Sequence, residues 1–177
     1  MSHEYSSCLT TSPAMRVVLP VTFFLLLTFG SVPCVCAMEK TFRIRGHSME
    51  PALLPGDQVV VEENYFRHTS PKQDDLVAVS MKNRQTFMVK RVIATSGDTI
   101  SFYGETLRVN KKAIRPINLE KWRSSIKQIK FYGGIIPPRT LLLLGDNARN
   151  SRDSRRLGLI SLDQIAGKVV RIIKKAQ

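Results

Sequence analysis

The sequence predicts a mostly β protein, and three observations carry that expectation. Beyond residue 38 the apolar residues come in short runs, such as Val59-Val60-Val61, Leu76-Val77-Ala78-Val79 and Leu141 to Leu144, which suit strands better than helices. Those runs are rich in Val, Ile and Phe, or alternate as Thr41-Phe42-Arg43-Ile44 does, a pattern that fits a pleated surface. Turn-forming clusters separate them, including Pro55-Gly56-Asp57 and Gly97-Asp98. At 177 residues the chain has room for one domain with a modest core and a small insertion.

Taken in order, the chain opens with a stretch free of charge, Val17 to Ala37. Its 21 residues reach about 31 Å as a helix, enough to cross a hydrocarbon core of about 30 Å. It also reads as a signal peptide: the strongly apolar part ends at Phe29, Gly30 and Pro33 break it, and Val35-Cys36-Ala37 offers small residues for cleavage. Composition leans to the signal peptide. The charge rule sets Arg16 against Lys40, Arg43 and Arg45 and by count would hold the C-terminal side in the cytoplasm. Residues 1–38 are taken as tail and hydrophobic segment, and 39–177 as the folded domain.

Within that domain Thr41 to Ile44 forms a strand running into a turn at Ser48, where Pro51 is tolerated in the first turn of a short helix. Strands follow at Val59–Val61, Leu76–Val79 and Phe87–Ala94. Ile100–Tyr103 and Thr106–Val109 flank Gly104-Glu105 as a hairpin. Residues from about 100 to 139 read as an insertion on the edge of the core, carrying the single tryptophan, Trp122. Leu141–Leu144 is a buried strand leading into Gly145 to Arg155, a run too polar for a core and too patterned for a random loop. Gly167–Ile173 closes the chain as a last strand.

The net charge is +13, from 27 Lys and Arg against 14 Asp and Glu. It is uneven: 0 over 1–37, +1 over 38–99, +7 over 100–139 and +5 over 140–177. Such a surplus suits nucleic-acid phosphate or anionic lipid headgroups. The three cysteines, at 8, 34 and 36, form no disulfide framework. The three histidines, at 3, 47 and 68, form no zinc-ligand spacing, and no metal is predicted.

Chemistry enters at Ser48, in Gly46-His47-Ser48-Met49-Glu50-Pro51. A serine hydroxyl is a weak nucleophile until a base removes its proton. The candidate base is Lys90, 42 residues on in Phe87-Met88-Val89-Lys90-Arg91-Val92-Ile93-Ala94. Alternation along a strand puts Met88, Lys90 and Val92 on one face and turns Arg91 to the other. Apolar neighbours desolvate an amine. A free lysine titrates at about 10.4 and a useful base at about 7–8, so burial is asked for about 4 kcal/mol.

Four stretches together resemble the type I signal peptidase (leader peptidase) family, in the family's order from about residue 41 to 173. They are Ser48-Met49-Glu50-Pro51; Pro55-Gly56-Asp57-Gln58-Val59; Lys90-Arg91 with Gly97-Asp98; and Gly145-Asp146-Asn147 with Ser151-Arg152-Asp153-Ser154-Arg155. The resemblance implies a membrane-anchored serine protease that removes signal peptides from exported preproteins with a Ser/Lys dyad and no cofactor. It implies a mostly β catalytic core, barrel or sheet, with a small subdomain inserted between the lysine and the Gly-Asp-Asn stretch and one N-terminal hydrophobic segment, here retained as an anchor. Residue by residue it makes Ser48 the nucleophile, Lys90 the general base and Ser151 a hydrogen-bonding partner that orients the amine. Asp153 and Arg155 become a supporting ion pair, Asp146 and Asn147 shape the loop, and Arg91 is structural. Small residues one and three before the cut would enter shallow apolar pockets lined by Ile44, Met49, Leu53, Met88 and Val89.

The sequence departs from the family's pattern at Gly46, where a serine often assists the oxyanion hole, and at Ala52 and Ala94. The resemblance implies a bacterial inner membrane with the catalytic domain outside, the mitochondrial inner membrane being the alternative. Its partners would be signal-peptide-bearing preproteins and anionic lipid, with no nucleic acid. Three other classes compete. A self-cleaving repressor of the SOS type shares the Ser/Lys arrangement but lacks here any helix-turn-helix pattern. A non-enzymatic basic coat protein leaves the spaced motifs unexplained, and 13 aromatic residues make a poor stacking platform for single strands. A Ser–His–Asp triad would need His47, adjacent to Ser48, to fold back on it.

Overall fold

A computed structural model of the chain describes residues 38–81, 87–104, 106–116, 127–130 and 132–176. The hydrophobic stretch Val17–Ala37, the three cysteines and Trp122 lie outside the described residues. Among the described residues no helix is long and apolar enough to cross a membrane.

The expected fold class holds: the domain is mostly β. In chain order the strands are β1 (Glu39–Arg43), β2 (Gln58–Glu62), β3 (Leu76–Ser80), β4 (Phe87–Ala94), β5 (Ile100–Tyr103), β6 (Thr106–Val109), β7 (Lys112–Pro116), β8 (Thr140–Leu144), β9 (Ile160–Ser161) and β10 (Ile165–Ile173). A short helix, α1 (Ser154–Leu157), precedes β9. Seven strands form an antiparallel sheet in the order β1-β2-β10-β3-β4-β8-β9, and β5-β6-β7 make a second, three-stranded sheet. Among the described residues the large sheet does not close into a barrel, and β1 and β9 stand at its two edges. It does curl. Three strands separate β1 from β4, yet the rings of Phe42 and Phe87 meet with centroids 4.9 Å apart.

Three apolar clusters hold this arrangement, each sorted by the period-2 alternation of strands. Met49 and Leu53 pack with Val59, Val61, Ala78 and Val169. The odd members of β8, Leu141 and Leu143, pack on one face with Val77, Val79 and Val92. The even members, Leu142 and Leu144, pack on the other with Ile100, Leu107 and Val109 and so seat the three-stranded sheet.

Several elements differ from the sequence-based expectation. β10 starts at Ile165, two residues before Gly167. β7 has the sequence Lys-Ala-Ile-Arg-Pro and among the described residues pairs with β6 alone, an edge position where Pro is tolerated. β9, at two residues, is too short to leave a pattern. The run Gly145–Arg155 is the largest departure: Asp153, Ser154 and Arg155 are buried, at 1%, 0% and 9% exposure.

The turn between β1 and β2 is tied to the end of the chain. Asp57 is 2% exposed, and its carboxylate accepts from Leu54 N at 2.9 Å, Lys174 Nζ at 2.9 Å and Lys175 N at 3.0 Å. Lys174 Nζ also donates to Ala52 O at 2.7 Å. The Leu54 amide first, then the Lys175 amide and the Lys174 ammonium, pull Asp57 from 3.8 down to about 2. A carboxyl lowered on folding stabilises in full above its ordinary value, and the contribution is lost as pH falls through the lowered one. Denaturant midpoints of wild type should therefore fall steeply below about pH 4. Asp57→Asn should start lower at neutral pH and lose that part of the slope; an unchanged slope would contradict the clamp.

Candidate active site

Ser48 sits on the turn that joins β1 to β2. Ile44 N donates to Asp57 O and Gly56 N to Ile44 O, both at 2.8 Å, so the base of the turn is pinned. Leu53 N donates to Met49 O at 2.9 Å, closing a single helical turn over Pro51. The side chains of Met49 and Leu53 are 2% and 0% exposed and root the turn in the core below. From the other side Asn147 N donates to Ser48 O at 3.1 Å.

Lys90 comes from β4. Its register partner on β3 is Val77, while β8 pairs with β4 only from Arg91 onward. The partner strand thus stops one residue short of Lys90, where the chain turns away through Gly145. The lysine is 3% exposed, and its Nζ donates to Ser48 Oγ at 2.8 Å and to Val89 O at 2.9 Å. Burial lowers its pKa from 10.5 to about 8, opposed by the Asp153 and Asp146 carboxylates and assisted by the Arg155 charge. Desolvation wins because it acts on the charged form directly, whereas the nearby acids are largely committed to arginines.

Those commitments explain why a polar run can be buried. Asp153 takes a bidentate fork from Arg155, Nε to Oδ1 at 2.8 Å and Nη2 to Oδ2 at 2.7 Å, and accepts from Gly145 N at 2.9 Å. Burial alone would raise the Asp153 carboxyl, but Arg155 and the Gly145 amide hold it below the ordinary carboxylate range. Its side chain also caps α1 through Arg155 N, and Ser154 Oγ accepts from Leu143 N at 2.9 Å. Asp146 takes a second fork, from Arg91 Nε at 2.9 Å and Nη2 at 2.7 Å. Every buried charge in the segment has a partner, as burial requires.

Ser151 departs from the geometry that the resemblance implied. Its Oγ lies close enough to Asp153 to help keep it ionised, but it is buried without a well-formed hydrogen bond. The amine of Lys90 is bonded to Ser48 and Val89 instead. Ser151 also explains Gly145: a Cβ there would fall 2.2 Å from Ser151 Oγ and 2.4 Å from Ser48 O.

A groove runs beside the two residues. Ile44, Met49, Met88 and Val89 line it, together with Phe42, Ala78 and Phe87, which were not singled out from sequence. Leu53 does not reach it, being fully buried below Met49. Alternation with Ile44 is the signal that identifies Phe42. Arg91–Asp146 was likewise unforeseen, although the β4–β8 register sets Arg91 against Leu144, two residues before Asp146. His47 Nδ1 lies 2.6 Å from Glu50 Oε1 and turns to that carboxylate, so the group on Ser48 Oγ is a lysine.

The family model described as Signal peptidase, peptidase S26 matches residues 15–173. The chain belongs to that family. Signal peptidase IB of Staphylococcus aureus is 33% identical over 167 residues, covering 86% of this chain and 84% of that protein. Signal peptidase I of Bacillus caldolyticus is 28% identical over 151 residues, covering 77% and 82%. A crystal structure of a signal peptidase I from Enterococcus faecalis aligns at TM-score 0.41 and 19% identity, over 58% of this chain and 98% of that one. As a signal peptidase the chain is a serine endopeptidase, a hydrolase whose class removes signal peptides from preproteins. For this signal peptidase, Gly145→Ala should displace Ser48 or Ser151 and lower kcat by about a hundredfold, since small misplacements are that costly. Cleavage assays read beside Tm check it, and a fully active variant would contradict the close packing.

Proposed function

We propose that this signal peptidase cuts by a Ser48/Lys90 dyad through an acyl-enzyme. Neutral Lys90 takes the Ser48 proton as Oγ adds to the scissile carbonyl carbon. The backbone N–H of Ser48 receives the developing oxyanion, with no hydroxyl contributed from Gly46. Collapse breaks the C–N bond, and the Lys90 ammonium returns the proton to the leaving amine. Lys90 then deprotonates a water that adds to the Ser48 ester. The C–Oγ bond breaks, the Lys90 ammonium returns the proton to Ser48 Oγ, and the signal peptide leaves as a carboxylic acid that ionises in water. Arg155–Asp153 and Arg91–Asp146 brace the wall behind the amine, and Ser151 helps keep Asp153 ionised there.

The single observation that carries this proposal is the 2.8 Å contact between Lys90 Nζ and Ser48 Oγ, made by an amine 3% exposed. The groove supports the substrate side. β1 has a free edge, and residues 87–90 of β4 have no ladder partner on the β8 side among the described residues. An extended peptide can satisfy both rows of backbone groups. The apolar floor of Phe42, Ile44, Met49 and Ala78 favours small apolar residues near the cut, of the Ala-x-Ala kind. Val17–Ala37 would serve as a single-pass anchor in a bacterial inner membrane with the domain outside, in keeping with the bacterial relatives; the mitochondrial inner membrane is the alternative. Ser48 lies 11 residues beyond Ala37, which keeps the nucleophile near anionic lipid and membrane-inserted signal peptides.

Two outcomes test the dyad. Ser48→Ala and Lys90→Ala should each abolish cleavage of a preprotein bearing an Ala-x-Ala site while retaining the wild-type circular dichroism; a cleaving Lys90→Ala would remove the lysine from the mechanism. The base is active only when neutral, and that fraction grows as pH rises through about 8. kcat/KM should then climb with pH to a plateau above that value, about tenfold per pH unit on the acid side. A flat profile between about pH 6 and about pH 9 would contradict a lysine base.

A further inference from the structure

The groove has two linings of opposite chemistry. Phe42 and Ile44 are half-buried and pack on the cluster around Met49. Arg43, Arg45 and Arg152 are exposed along the same groove. Strand alternation produces the division: even residues of this segment go down to the core and odd ones stay up. Among the described residues no Asp or Glu lines the groove. Among the described residues none of these three arginines makes an ion pair, whereas Lys40, Arg91, Arg139, Arg155 and Lys168 each do. Cations gathered at a cleft without counter-charge leave a standing positive potential over whatever enters it.

We propose that Arg43 and Arg45 select substrates carrying an acidic side chain at the second residue before the cut. The proposal rests on the peptidase reading above and deepens it. A peptide extended beside β1 advances by about 3.3 Å per residue, as β1 does. Its alternate side chains then meet the apolar floor, and the one between them lies beside the arginine row. Arg152, next to Ser151, adds to the same potential at the nucleophile's end. The small residues at the floor and the carboxylate between them are read by opposite faces of one strand.

The test uses the full-length chain and one preprotein in three forms, with Asp, Asn or Lys at the second residue before the cut. Each exposed charge pair is worth at most about fivefold, so wild type should favour Asp over Lys by about tenfold in kcat/KM. The preference should shrink toward unity at about 0.5 M salt. The double variant Arg43→Glu/Arg45→Glu should reverse the order, a result that damage to the fold does not produce. Equal rates for the three forms, or an Asp preference kept by the double variant, would overturn the proposal. So would an unchanged order combined with weaker binding of the double variant to phosphatidylglycerol vesicles, which would assign the arginines to lipid headgroups. If wild type fails to cut even the Asn form, the peptidase reading fails. Binding of the Asp and Lys peptides to wild type at low and high salt then decides the charge preference by itself, equal affinities overturning it.

Discussion

The site depends on keeping one amine dry. Moving Lys90 from 10.5 to about 8, with burial the largest cause, corresponds to a net preference of about 3 kcal/mol for the neutral amine. That cost falls on the folded state whenever the amine is charged. Between about pH 8 and 10.5 the unfolded chain binds the extra proton, so this contribution favours folding as pH rises and opposes it in full below that window. A neutral side chain at position 90 would be easier to bury. The domain therefore holds a standing strain at its centre, and the surrounding structure is what contains it.

Containment comes from charge pairs that do not point at the amine. A free carboxylate beside Lys90 would raise its pKa and defeat the desolvation. Asp153 and Asp146 are near enough to act in that direction, but each spends its lone pairs on an arginine fork. The forks also do structural work: Arg91–Asp146 joins β4 to the loop after β8, and Asp153 caps α1 and receives Gly145 N. Breaking one fork would both loosen the wall and free a negative charge toward the lysine. Local order and local electrostatics are thus set by the same four side chains.

What was legible in sequence follows the range of each interaction. Alternation and turn chemistry are local, so Val59–Val61, Phe87–Ala94 and the hairpin at Gly104 could be read from neighbours alone. The burial of Lys90 was legible for the same reason, through Val92 on its own face. The buried state of Asp153 and Arg155 was not, because a charged run reads as solvated until each charge is known to have a partner. Nor was the curl of the sheet, which arises from pairings as distant as β2 with β10 and shows only in contacts such as Phe42 with Phe87. Leu53 was assigned to the groove through the resemblance, which does not tell a pocket wall from the layer below it.

That curl accounts for the site and the groove together. In a flat sheet three strands would hold β1 away from β4, and a serine beyond β1 could not approach a lysine on β4. Bending the sheet brings the turn at Ser48 over Lys90 while β8, ending at Leu144, leaves the adjoining part of β4 uncovered. The unpaired backbone edges beside the groove are then a consequence of the same geometry that brings Ser48 and Lys90 together. An edge strand exposed in this way is ordinarily an aggregation liability. Here Arg43 and Arg45 stand along it, and unpaired cations on an edge both repel a second copy of the same strand and attract a chain of opposite charge.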